Sequence, residues 1–519
     1  MAENCPRTLV RAERVFNYTV HNKCRRPFYE DLVSIFGALI TSIPLEGHSV
    51  GLFSPMFHFS FTAKEAVSSL ASLKVQQIVR SVDKSGKAVS STTITTYEVG
   101  AKGSEDLMRN FLEARLIKCL TTSDSMAYKF KKKMLFQLTA KGLTVVELFC
   151  QRSGVSLSPK LIQLGTKSGH KNPRLILLER DQTTDLISVS ESLIEILFRR
   201  FMGPRPNTES STFAYGSSNG MACVREQDEI KGVKVHESRR ILLREYKNCF
   251  SGADALVWMM ENTSAVNQGE AEELLHAILR QQLIAPIDRQ RKCFVVDKNT
   301  YYQMTEIGWH QSQWATNQVD LSPSVSTKSE GRERSPVRRE TTPVNDQRQA
   351  MDRILTNPAL KMLFREHLAK NYCEENLNFY QESGKVISQF EELERTGFQS
   401  RAKVNACISE AWIVYNGYLA EGAVSEVNID HGLRQRVRDG MTGTAGTGET
   451  GEDEGDMKLK SSGDSIPGAD ETGMAKSLES RVRNLRHIME LLSDVRMQVY
   501  RLMASDSVPK FLRSEDYQY

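Results

Sequence analysis

The chain is short of the features that announce a chemistry. Its nine cysteines are scattered over 519 residues, with no Cys-x-x-Cys pair and no partnering histidines at zinc spacing, so no zinc site is written into the sequence. An odd count without local pattern suits reduced thiols in the cytosol better than a disulfide framework. Excess charge is equally scarce: 68 Lys plus Arg stand against 64 Asp plus Glu. Bulk charge therefore makes no case for a nucleic-acid or membrane protein. No run reaches the ~20 apolar residues that span a bilayer. The nearest, Leu32 to Ile43, is interrupted by Ser34, Gly37, Thr41 and Ser42 and reads as a buried helix. The N-terminus lacks the apolar stretch of a signal peptide. The expected setting is soluble and intracellular.

Enzyme signatures are also thin. Gly216-Ser217-Ser218-Asn219-Gly220 fits Gly-x-Ser-x-Gly but lies in a Ser/Gly-rich stretch rather than at a strand-to-helix turn. Gly86-Lys87 is followed by Ala88, where a phosphate loop needs Ser or Thr for magnesium, and Ser81 stands in place of the first glycine. The expectation is a non-enzymatic chain with no cofactor and no metal.

What is present is a modular layout. Length allows about three domains. Residues 203–222 and 316–346 are rich in Ser, Thr, Pro and Gly and read as linkers, the second as disordered. Residues 440–473 carry eight carboxylates against two lysines among many glycines. Apolar periodicity resumes on both sides of that stretch, so it reads as a disordered acidic insertion within one domain. Ser322-Pro323, Ser335-Pro336 and Thr342-Pro343 are accessible linker sites for phosphate. Lys129 to Lys133 forms a basic patch, read first as a solvated face and second as a lipid contact.

The N-terminal region contains an internal repeat. Leu135-Phe136-Gln137-Leu138-Thr139-Ala140-Lys141-Gly142 parallels Tyr301-Tyr302-Gln303-Met304-Thr305-Glu306-Ile307-Gly308. Leu116-Ile117 parallels Leu283-Ile284, and Phe61-Thr62-Ala63 parallels Phe250-Ser251-Gly252. The offset requires an insertion in the first copy near 75–100, expected as an exposed hairpin or loop. Phe294-Val295-Val296 and Tyr301 to Met304 are expected to pair as a terminal hairpin. Residues 160–202 are expected to pack as helices between the copies. The second copy, 230–312, resembles a DEP domain: Cys249-Phe250-Ser251-Gly252 through Val257-Trp258-Met259 follows that family's C-F-x-G-x-x-x-V-x-W-L pattern. The first, 30–150, is a divergent DEP-like copy with Ser69 where the second has Trp258. The resemblance implies small α+β modules with a winged-helix-like core that bind membranes or receptor tails.

From Met351 the apolar spacing is helical, and Asn357-Pro358 is a good helix start. Six or more helices with almost no strand signal mean a bundle. Leu355 to Leu368, then Glu374-Glu375-Asn376-Leu377-Asn378-Phe379, Val427-Asn428-Ile429 and Asp506-Ser507-Val508-Pro509-Lys510-Phe511-Leu512 resemble, in order, four blocks of the RGS family. The domain is placed at 347–515. With the upstream copies, the chain is similar to fungal desensitising RGS proteins of the FlbA type. The implied fold class is mainly α: two small α+β winged-helix-like modules followed by an all-α bundle.

The implied function is GTPase activation on a heterotrimeric Gα subunit in its GTP or transition-state form, shutting off receptor signalling; in fungi this governs growth, development, sporulation or pheromone response. Tyr372, Glu375 and Asn376 would contact the switch regions, Asn428 would steady the catalytic glutamine, and Leu502, Asp506, Ser507 and Lys510 would complete the interface. Each has a bland reading: first-turn carboxylates, turn asparagines, a cap. The isolated 347–519 fragment is expected to suffice for Gα recognition. The paired modules would recruit the protein peripherally to the plasma membrane through a receptor tail or anionic lipid. Rival classes are a scaffold without activity and a DNA reader. Against the second, the helix after Gly269 begins Glu270-Ala271-Glu272-Glu273, which repels phosphate.

Overall fold

The computed structural model describes residues 7–13, 26–49, 56–82, 88–96, 101–121, 131, 133–153, 155–167, 175–208, 231–241, 244–288, 290–314, 343–423, 425–445 and 471–517. Most of both linkers, the central part of the acidic segment, the phosphate-acceptor sites and most of the 129–133 patch lie outside these residues.

Two units of the same eight-element order occupy the N-terminal half. The first runs α1 (Tyr29–Ser42), β2 (Glu46–Ser49), β3 (Met56–Thr62), α2 (Ala63–Leu70), α3 (Ala101–Glu113), β6 (Ile117–Cys119), β7 (Leu135–Leu138) and α4 (Ala140–Ser153). Its sheet order is β2-β3-β7-β6. The insertion after α2 is an antiparallel hairpin of β4 (Lys74–Val82) and β5 (Ala88–Thr96), with β1 (Arg7–Glu13) alongside β5 in parallel. After α5 (Pro159–Lys167), the second unit runs α6 (Glu191–Met202), β8 (His236–Ile241), β9 (Arg244–Ser251), α7 (Gly252–Asn262), α8 (Gln268–Arg280), β10 (Ile284–Pro286), β11 (Tyr301–Met304) and α9 (Glu306–Gln311). Its order, β8-β9-β11-β10, is the same.

The repeated residues have repeated jobs. Thr62 and Ser251 cap α2 and α7, each accepting from the backbone N–H three residues on. Thr139 and Thr305 each take a backbone N–H from a glycine, Gly142 and Gly308, and donate to a backbone carbonyl at Leu116 or Leu283. A Cβ on Gly142 would stand 1.9 Å from the Leu116 carbonyl oxygen, and one on Gly308 2.0 Å from that of Leu283. Only glycine permits so close a helix–strand approach.

Two expectations need correction. Residues 294–296 are not a strand; β11 pairs instead with β9 and β10. The Val295 N–H donates to the Tyr302 hydroxyl at 2.7 Å and the Phe294 ring stacks on Tyr302 at 4.3 Å, so this segment folds over the ring rather than along the strand. Nor does 160–202 pack as one layer between the copies. Leu161 and Leu164 of α5 join the core of the first unit, whereas α6 opens the second. Phe201 meets Phe250 and Trp258 edge-to-face, both at 5.2 Å.

The units are joined at Lys141. Its ammonium, 4% exposed, donates to the carbonyls of Met260 at 2.7 Å and Ala265 at 2.6 Å. Burial lowers its pKa to about 7, with nearby Glu270 opposing. The unfolded chain thus holds more protons than the folded one between pH 7 and the ordinary lysine value, so this group adds stability as pH rises through that window. Comparing thermal melts of the full chain and Lys141→Met should show the native chain gaining on the variant between pH 7 and 9; parallel curves would refute the assignment.

The C-terminal half is an all-helical bundle: α10 (Pro343–Thr356), α11 (Pro358–Lys370), α12 (Glu374–Arg395), α13 (Arg401–Val414), α14 (His431–Ala445), α15 (Glu471–Leu502) and α16 (Val508–Arg513). The helix start at 343 corrects the linker's end at 346, and a fragment beginning at 347 would cut α10. Asn357 caps α11 as its sequence suggests, accepting from the N–H groups of Ala359 and Leu360. The long α15 returns to the core after the acidic segment: Leu485, Ile488, Leu492, Val495 and Val499 are buried, and Phe511 meets Phe364 at 5.3 Å. Because α14 runs to Ala445 and α15 starts at Glu471, the acidic insertion is shorter than 440–473. Replacing 446–470 by a Gly/Ser loop of half the length should move stability by less than about 1 kcal/mol, since loop entropy changes slowly with length. A large drop in Tm would show that the segment belongs to the core.

Candidate functional site

The surface around Cys373 gathers two of the sequence blocks. α11 ends in a Schellman turn: Cys373 N–H donates to Leu368 O at 3.0 Å and Tyr372 N–H to Ala369 O at 3.3 Å. This places Tyr372 in the left-handed region, φ 54°, where glycine is usual. Its side chain is 93% exposed. A large aromatic at a strained position, contributing nothing to the core, is best explained by what it can touch outside.

α12 begins one residue after Cys373. Glu374 and Glu375 fill its first turn, where the helix dipole favours carboxylates. Glu375 is half-buried, and burial followed by the charge of Glu374 pushes its pKa up. Asn376 differs from the expectation of an exposed contact: it is 7% exposed. Its Nδ2 donates at 3.3 Å to Cys373 O and to Glu375 Oε1. Its Oδ1 is buried and has no hydrogen-bond partner, an arrangement that costs on the order of 1–3 kcal/mol unless a donor arrives. Asn376 therefore fixes the Glu375 carboxylate from behind.

The last block approaches the same place. The end of α15 passes through a π-helical turn, Met503–Ser507, into α16. A π-turn re-aims the side chains on either side of it. Asp506 and Lys510 face outward and pair at 2.7 Å. Ser507 is buried, and Leu502 is half-buried. Ser507 thus sits beneath the surface expected to carry it. Cys373 feels the charges of Glu375, Asp506 and Lys510 together, and its thiol pKa is raised by burial and the two carboxylates. Lys510 is already occupied by Asp506, not Glu375. Lys510→Arg keeps that i,i+4 pair; if this face meets Gα as the resemblance implies, the variant is expected to leave that affinity within about threefold, and a tenfold loss would mean the ammonium itself is read.

Asn428 comes from a separate element. Val427 and Ile429 are buried and Asn428 between them is exposed, the alternation of an extended segment. The Val427 N–H donates to Tyr418 O at 3.0 Å, and the Tyr418 ring meets Phe379 of α12 at 5.8 Å. The segment carrying Asn428 is therefore backed by the helix that carries Asn376. Tyr418 lies in a second π-helical turn, Tyr415–Leu419. Neither π-turn is legible in the sequence, whose apolar spacing reads as continuous helix.

Three family models match the chain. One described as the fungal-differentiation regulator winged helix domain covers 31–164. The domain found in Dishevelled, Egl-10 and Pleckstrin (DEP) covers 232–304. The regulator of G protein signaling domain covers 350–456. The chain is an FlbA-like RGS protein. Its RGS match stops inside the acidic segment, yet α15 and α16 complete the bundle, so the domain reaches past the match. The first unit, read above as a divergent DEP copy, is matched under its own winged-helix description. The chain is 29% identical over 505 residues to Developmental regulator flbA of Emericella nidulans, covering 95% of this chain and 63% of that protein. It is 24% identical over 494 residues to Regulator of G-protein signaling 1 of Schizosaccharomyces pombe, covering 94% and 89% respectively. A shorter likeness, 31% over 87 residues, links 17% of the chain to 10% of Regulator of G-protein signaling rgs-6 of Caenorhabditis elegans. Among the described residues, no helix of the RGS protein is long and apolar enough to cross a membrane.

Proposed function

We propose that the face formed by Tyr372, Glu375, Asn428, Asp506 and Lys510, with Asn376, Ser507 and Leu502 supporting it, binds a heterotrimeric Gα subunit in its GTP or transition-state form and accelerates GTP hydrolysis. The observation that carries this reading is the display of Asn428, exposed on a rigidly backed segment of an RGS domain. Gα already supplies an arginine in cis and a glutamine that orients the attacking water. A helper needs only to hold the switch loops in their transition-state geometry. A hundredfold acceleration corresponds to roughly 2.7 kcal/mol of differential binding. The Asn428 amide offers a donor and an acceptor, which suits a glutamine side chain that must keep one orientation. The protein's role is then regulatory: it shuts off receptor signalling without itself being the enzyme.

The shared topology and shared caps of the two N-terminal units support reading them as copies of one module. We assign them recruitment to a receptor C-terminal tail or an anionic membrane surface. The deciding experiment is single-turnover GTP hydrolysis by Gα subunits with the full chain added. Acceleration supports the reading, together with tight binding to Gα loaded with GDP and aluminium fluoride. Binding without acceleration would leave a scaffold instead.

A further inference from the structure

The N-terminal units do not stand apart from the bundle. Glu179, ahead of α6, pairs with Lys361 at 2.8 Å and Arg365 at 3.3 Å on α11. Arg200 of α6 pairs with Glu366 at 2.5 Å. Glu30 of α1 pairs with Lys385 of α12. One contact reaches closer to the candidate site. At the end of α4, Arg152 directs both Nε, at 2.7 Å, and Nη2, at 2.6 Å, onto Glu382 Oε1 of α12. The same helix end presents the Gln151 carbonyl, which accepts from Ser425 Oγ at 3.0 Å. The Arg152 carbonyl lies where a Cβ on Gly417 would be only 3.0 Å away. Gly417 directly precedes Tyr418 and Ser425 lies two residues before Val427, the two positions joined by the bond from Val427 N–H to Tyr418 O. Arg152 is held charged by Glu382, and Glu30 and Tyr418 also lie within its electrostatic reach.

From this geometry we infer that Arg152 is a positioning residue for GTPase activation: its pair with Glu382 clamps the end of α4 against the Gly417–Ser425 turn and so sets where Asn428 stands relative to α12. The inference rests on the GTPase-activating reading above. Its direction follows from exposure. Tyr372, Asn428, Asp506 and Lys510 all remain open to solvent with the N-terminal half docked, so docking braces the candidate face and does not cover it. An isolated bundle would keep the residues and lose the brace. A displacement of about 1 Å at a group that must meet the transition state can cost up to about a hundredfold in rate.

The test uses the full chain and three variants, Arg152→Glu, Glu382→Arg and the two together. The readouts are single-turnover GTP hydrolysis by Gα and amide hydrogen exchange of 425–430 in the free protein. Each single reversal should lower GTPase stimulation about tenfold and speed exchange in 425–430, with the double variant recovering both. A merely structural pair would lower Tm without moving exchange in that segment selectively. Should a reversal fail to fold, Arg152→Gln removes the charge more gently and should shift both readouts in the same direction. Exchange of 425–430 indifferent to the reversals, or a single reversal that raises stimulation, would overturn the inference while the native chain's activity still upholds the reading beneath it. A native chain that accelerates no Gα would overturn that reading, and the exchange data would still decide whether Arg152 holds the segment.

Discussion

Asn428→Ala should reduce GTPase stimulation by about a hundredfold, the scale seen when one preorganised transition-state hydrogen-bonding group is removed, with folding stability within about 1 kcal/mol of native. The asymmetry follows from the structure. The Asn428 side chain is exposed, whereas the segment is held by its buried neighbours Val427 and Ile429 and by the backbone bond to Tyr418. Truncation removes only what points outward. Asn376→Ala must behave differently, although sequence reasoning places the two asparagines on one surface. Asn376 is buried and tethers Glu375 to the Cys373 carbonyl, so its loss should lower both stability and stimulation. Stimulation assays and thermal melts on both variants separate these roles. Full activity in Asn428→Ala with unfolding in Asn376→Ala would mean that both asparagines are structural and that the proposed site is wrong.

Trp258→Ala is expected to cost about 3–5 kcal/mol, the range for emptying a buried aromatic site. Trp258 is 6% exposed, packs edge-to-face on Phe201 and donates from Nε1 to Lys231 O at 2.7 Å. Removing it opens a cavity under α6 and takes away the hydrogen bond to Lys231. Because Lys141 and the Glu179 and Arg200 pairs couple the second unit to its neighbours, a loosened second unit should be felt beyond its own boundary. Denaturant unfolding of the full chain reads the loss; a change below about 1 kcal/mol would mean the site collapses without a cavity. If the paired units recruit the protein to the membrane, the same variant should also lose cortical localisation in cells.

Much of the architecture can be read from residues alone because local chemistry dictates it. Asn357-Pro358 starts a helix wherever it occurs with an apolar stripe behind it, since the Asn oxygen takes orphan N–H groups and the proline has none to lose. The repeat is visible because each copy needs the same threonine cap and the same glycine at a close helix–strand contact. The four RGS blocks are legible only through their resemblance to that family, since turns, caps and first-turn charges would not by themselves single them out. Sequence reasoning falls short where a position's meaning depends on what comes to it from far along the chain. Phe294 to Val296 has the composition of a strand, but the Tyr302 ring and hydroxyl occupy the place where its pairing would form. The periodicity of α6 shows an amphipathic helix without saying which core takes its apolar face.

By itself, the sequence determined the module order, the helix starts and the repeat, because these rest on interactions between positions a few residues apart; the residues of the candidate face come from resemblance to the RGS family. Only the tertiary structure decided that Asn376 and Ser507 are buried while Tyr372, Asn428, Asp506 and Lys510 are exposed. It alone joined Arg152 to Glu382 and Lys141 to Met260 and Ala265. Those partners are separated by more than a hundred residues, and a charged side chain in a helix carries no local mark of the partner that will meet it; burial and pairing are properties of the packed chain.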